Sequence, residues 1–217
     1  MKNTTLLGFV ALFLLCLSGI SSRAVQAAEE GATRILVLGD SLTAGYGIAA
    51  EEAFPAQLQK SLRSAGHQVT VINAGVSGDT TAGGLSRLEW ALADRPDMVI
   101  VELGGNDALR ALAPGQTREN LDSILTRLRQ AGVDILLTGM LAPRNLGSDY
   151  YSKFDQIYPE LSNKHNIPLY PFFLQGVAGN PELNLRDGIH PNARGVRVIV
   201  ANIMPYVEKV LGTIKSG

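Results

Sequence analysis

Five short apolar runs constrain the fold of this 217-residue chain more than any other feature: 34–39 (RILVLG), 69–73 (VTVIN), 98–103 (MVIVEL), 133–139 (VDILLTG) and 167–172 (IPLYPF). Most are nearly continuous in apolar residues and do not alternate, the pattern of strands covered on both faces. Between them, residues 53–64, 80–93, 117–131 and about 150–163 carry helical spacing. A last helix runs from Pro191 to about Leu211, with a bend expected at Pro205. Five strands alternating with five helices predict an α/β fold, a parallel sheet sandwiched between helices. Short right-handed crossovers make one doubly wound domain the economical topology.

The N-terminus reads differently. Lys2 gives a short positive region, the stretch from Leu6 to Ile20 is almost wholly apolar, and small residues follow around Ala24, Ala27 and Ala28. That order is the order of a cleavable secretory signal over residues 1–27, with a domain over 28–217 and a periplasmic or secreted destination. An uncleaved anchor is the alternative, although the run is short for a span. Only one cysteine is present, Cys16, and it lies in this run, so a processed chain has neither a disulfide nor a thiol nucleophile. Phe13-Leu14-Leu15 supplies no small residue ahead of it for a lipoprotein signal. Processing removes Lys2 and Arg23 and no acid, which moves the formal charge from −1 to −3. A mildly acidic chain lacks the basic stripe of a nucleic-acid binder.

Ligands of open parallel sheets bind beyond the carboxyl ends of the strands, so the segments that follow the strands are the informative ones. The first strand runs into Gly39-Asp40-Ser41-Leu42, the second into Ser77-Gly78-Asp79-Thr80 and the third into Gly104-Gly105-Asn106-Asp107; Asp187-Gly188-Ile189-His190 follows the fifth. Three residues separate Asp187 from His190, a distance one tight turn closes. A carboxylate on Nδ1 would fix the imidazole tautomer and leave Nε2 as a base. Ser41 at a strand end can present its hydroxyl to such a base. Asn106 can donate its amide to a developing oxyanion, together with the backbone N–H groups of Gly78 and Ser41. Singly, each residue also suits a cap or a turn; jointly, four unrelated turns would have to place this set on one edge by accident.

These four blocks resemble those of the SGNH (GDSL) hydrolases, most closely the bacterial periplasmic thioesterase, arylesterase and lysophospholipase subgroup, in order and over essentially the whole chain after residue 27. The resemblance implies a flavodoxin-like αβα sandwich. It also implies a Ser41–Asp187–His190 triad, an oxyanion hole of Ser41, Gly78 and Asn106, and hydrolysis of small acyl esters, thioesters or lysolipids. The loop 140–150 corresponds in position to the family's mobile substrate loop. No cofactor or metal is implied: the three histidines lack the local spacing of a zinc site. A carbohydrate acetylesterase with the same triad is an alternative, as is a flavodoxin-like module binding a flavin or another anion, although Asp40 beside Ser41 opposes an anion there. Acyl length and oligomeric state are not encoded legibly.

Three further expectations concern packing. Trp90 should be core, His67 and His165 should be surface residues, and Glu102, inside an apolar strand, needs a partner if buried.

Overall fold

The computed structural model describes residues 31–214. The proposed signal, its cleavage site and Cys16 lie outside them. Five strands, β1 (Thr33–Gly39), β2 (Val69–Gly75), β3 (Met98–Glu102), β4 (Asp134–Thr138) and β5 (Leu169–Tyr170), pair in parallel in the order β2-β1-β3-β4-β5. This is the flavodoxin-like order, which reverses direction between β1 and β3 and opens a crevice there. All five β3 residues and the last five of β1 are buried, the reason these runs carry almost no polar side chains. β5 is shorter than the sequence suggests because Pro168 and Pro171 flank it and neither can donate to the ladder.

The helices are α1 (Ser41–Ala44), α2 (Phe54–Ser64), α3 (Thr81–Ser86), α4 (Leu88–Leu92), α5 (Gly105–Leu109), α6 (Pro114–Gln130), α7 (Ser148–Asp155), α8 (Ile157–His165) and α9 (Ala193–Leu211). α2 and α9 pack together on one side of the sheet; α6 packs with α3 and α8. Right-handed crossovers place the second group on the other face. α9 passes Pro205 without interruption; Ala201, whose carbonyl the ring deprives of a helical donor, is an exposed residue. No helix among the described residues is long and apolar enough to cross a membrane.

Several local expectations are corrected. Residues 80–93 are two helices, broken at Arg87 (φ −106°, ψ 8°). Beyond the break the buried face of α4 is Leu88 and Ala91, one turn apart, which leaves Trp90 72% exposed and not in the core. The stretch at 150–163 likewise divides into α7 and α8 at Gln156. His165 is buried, not a surface residue, because its Nε2 lies 2.7 Å from Asp122 Oδ1 of α6. His67 is half-buried beside Glu208. α6 starts three residues before the expected Thr117, with Pro114 in its first turn where a missing N–H costs nothing.

Candidate active site

β1 ends in a turn that converts strand to helix within two residues. Asp40 is the N-cap of α1: its backbone is non-helical, and its Oδ1 accepts the Leu42 N–H at 2.9 Å. Ser41 is therefore the first helical residue, beyond the carboxyl end of β1, an interior strand of the sheet. The turn fits because Gly39 has no side chain. A Cβ there would overlap the Thr43 hydroxyl and lie 2.6 Å from Glu102 Oε2.

His190 reaches the same place from the far end of the chain. Its Nε2 is 3.0 Å from Ser41 Oγ, and its Nδ1 is 2.7 Å from Asp187 Oδ2. Asp187 shapes its own loop: Oδ1 accepts the backbone N–H of Ile189 (2.9 Å) and of His190 (3.0 Å). These backbone donors, the His190 N–H first, hold the Asp187 carboxyl down to about 2, with the imidazole contact adding to them. An ionised carboxylate can only accept. The Nδ1 it faces must then carry the proton, which leaves the Nε2 lone pair toward the Ser41 hydroxyl. The Tyr46 ring lies 4.4 Å from the imidazole, centre to centre.

The loop is anchored by a residue the sequence reading passed over. Asn192, not Pro191, begins the last helix as its N-cap. Its Oδ1 accepts the N–H of Arg194 and Gly195, and its Nδ2 donates to the carbonyls of Glu182 and Asn184. An Asn directly ahead of an apolar periodic run is the signal that could have found it.

Asn106 and Gly78 complete the edge. Gly104 enters α5 at φ +111°, a backbone that favours glycine, and a Cβ there would overlap the Tyr158 hydroxyl. Gly104 is the N-cap of α5, so Asn106 caps nothing. Its Nδ2 donates instead to Asp40 Oδ2 (3.0 Å) and to the Asp79 carbonyl (2.9 Å). The amide thus lies between the residue before Ser41 and the residue after Gly78. Gly78 takes φ +85°, and its carbonyl accepts from Arg110 Nη2 at 2.8 Å. Among the described residues, neither the Ser41 nor the Gly78 N–H donates to another backbone or side-chain group. Arg87 ties the surrounding loops together, its Nε on Asp79 Oδ2 (2.6 Å) and its Nη2 on the Gly39 carbonyl (2.9 Å).

Glu102 is partnered through one oxygen only: Oε2 accepts the Thr43 hydroxyl (2.7 Å) and the Asp40 N–H (3.3 Å), while Oε1 is buried with no partner among the described residues. Burial, and then the neighbouring Asp40 charge, raises its carboxyl well above the usual range. Burial also pushes Asp40 up to about 6, against the Leu42 and Asn106 hydrogen bonds, which lower it.

Residues 37–198 match the GDSL-like lipase/acylhydrolase family. The chain is 38% identical over 198 residues to "Esterase TesA" of Pseudomonas aeruginosa, covering 91% of this chain and 98% of that one. It is 42% identical over 174 residues to "Thioesterase 1/protease 1/lysophospholipase L1" of Escherichia coli K12, covering 80% and 82%. The crystal structure of AlinE4, an SGNH-hydrolase family esterase, is 49% identical and superposes with a TM-score of 0.70 over 83% of this chain and 97% of that one. The chain belongs to the GDSL-like lipase/acylhydrolase family.

Proposed function

We propose that residues 28–217 form an exported hydrolase that cleaves carboxylic esters and thioesters through an acyl-enzyme on Ser41. The observation that carries this reading is the line Asp187 Oδ2–His190 Nδ1 (2.7 Å) and His190 Nε2–Ser41 Oγ (3.0 Å). Ser41 Oγ attacks the acyl carbon as His190 Nε2 takes its proton, and the carbonyl π pair moves onto oxygen. Asp187 stabilises the imidazolium. The N–H groups of Ser41 and Gly78, with Asn106 Nδ2, receive the oxyanion. Collapse breaks the C–O or C–S bond, and the leaving alcohol or thiol departs with the proton from His190. Water, deprotonated by the same imidazole, then attacks the acyl-enzyme and releases the acid.

The rim of this edge supports an acyl substrate. Tyr46, Val76, Leu109, Leu112, Leu141 and Ile189 are exposed large apolar residues, all in segments that follow strands or flank His190. A surface that only bound sugars would have little use for them. The names of the relatives, esterase and thioesterase/lysophospholipase, point the same way. Export rests on the order of Lys2, the run from Leu6 to Ile20, and Ala27.

A panel of p-nitrophenyl and CoA esters of graded chain length tests the substrate class. Turnover of butyrate to octanoate esters at rates above acetate is the expected result. Hydrolysis confined to acetyl groups would favour the carbohydrate acetylesterase alternative. Within the mechanism, Asn106→Ala should lower kcat by about 10²–10³ with KM little changed, because the lost donor acts mainly in the transition state. A normal kcat in that variant would remove Asn106 from the reaction.

A further inference from the structure

We propose that Asp40 is a positioning residue, aiming the Asn106 amide at the oxyanion through its second carboxylate oxygen. The proposal rests on the reading of Asn106 as an oxyanion donor. Asp40 is 2% exposed, and no Lys, Arg or His forms a salt bridge with it among the described residues. A charge so placed is costly. Capping alone does not account for it, since Asn caps a helix as well as Asp does and carries no charge. What Asn cannot offer is an acceptor on both branches of the side chain. Asp40 uses both: Oδ1 takes the Leu42 N–H and Oδ2 takes Asn106 Nδ2.

The consequence for Asn106 is orientation. Its N–H₂ is set between two acceptors, Asp40 Oδ2 at 3.0 Å and the Asp79 carbonyl at 2.9 Å. Rotating the amide by half a turn would set its own carbonyl against both oxygens, so the rotamer that presents hydrogens is the one retained. The amide plane is then defined before substrate arrives. A developing oxyanion joins these acceptors as a further partner of the same two hydrogens, in the three-centre manner common for such donors. Glu102 holds the base of the arrangement by accepting the Asp40 N–H and the Thr43 hydroxyl.

Asp40→Asn separates the two roles of Asp40. The new side chain keeps an oxygen for Leu42 but turns an N–H₂ toward the N–H₂ of Asn106, donor against donor. With a p-nitrophenyl ester, kcat should fall about 10- to 10²-fold with KM within about twofold, the ceiling being the loss of the Asn106 donor itself. In an Asn106→Ala background, Asp40→Asn should change kcat by less than about twofold, because its partner is gone. Fluorophosphonate labelling of Ser41 is read alongside. Labelled Ser41 and an impaired Asn106→Ala protein, with either an unimpaired Asp40→Asn enzyme or an equal loss in both backgrounds, would overturn the proposal and leave the underlying mechanism standing. An unimpaired Asn106→Ala enzyme would instead overturn the oxyanion reading. An Asp40→Asn chain that does not fold would also overturn the proposal, since the second carboxylate oxygen would then serve the fold and not the aim of Asn106.

Discussion

Ser41→Ala is expected to lower kcat for ester hydrolysis by about 10⁵–10⁶, the scale on which removing the nucleophile of a serine triad acts. The residual rate would come from the oxyanion donors and from binding. Stability should change by no more than about 0.5 kcal/mol. Among the described residues the only hydrogen bond of Ser41 Oγ is to His190, and Ser41 occupies the first helical position of α1, where alanine is a good helix former. Steady-state kinetics beside a denaturant melt checks both parts. A tenfold loss of rate with a large loss of stability would place Ser41 in the fold and not in the chemistry.

Asp187→Asn is expected to cost about 10⁴ in kcat. An asparagine at 187 can still accept the N–H of Ile189 and His190 with its one oxygen, so the loop persists. Its N–H₂ would then face Nδ1. That nitrogen would have to accept, the proton would move to Nε2, and Ser41 would lose its base. If Asp187 and His190 were only a half-exposed ion pair, the substitution would change kcat less than tenfold and stability only slightly. The expected signature is therefore a protein with wild-type melting behaviour, intact substrate binding and almost no turnover.

The sequence shows clearly whatever depends on local pattern. β1 and β3 are covered on both faces, so their residues are almost all apolar, and the loops that matter follow the strands because parallel sheets bind ligands there. Asp187 and His190 are legible as a pair because one turn joins them. What escapes is non-local. Asp40 is adjacent to Ser41 in the chain, but its second oxygen is used by Asn106, 66 residues away. The buried Glu102 finds Thr43 and the Asp40 backbone across β1 and β3. His165 is buried by Asp122 on a neighbouring helix. Trp90 misleads for a related reason. Its apolar neighbours give helical spacing through 80–93, while Arg87, with its side chain committed to Asp79 and the Gly39 carbonyl, coincides with the break that turns Trp90 outward.

The central claim is that Ser41 is the nucleophile, and peptide mapping of the fluorophosphonate-treated protein by mass spectrometry tests it most directly. One adduct per chain on the peptide containing Gly39-Asp40-Ser41-Leu42, with parallel loss of esterase activity and no adduct on Ser41→Ala, is the predicted result. Complete inactivation with the adduct on a different serine, or an active enzyme whose Ser41 stays unmodified, would contradict it.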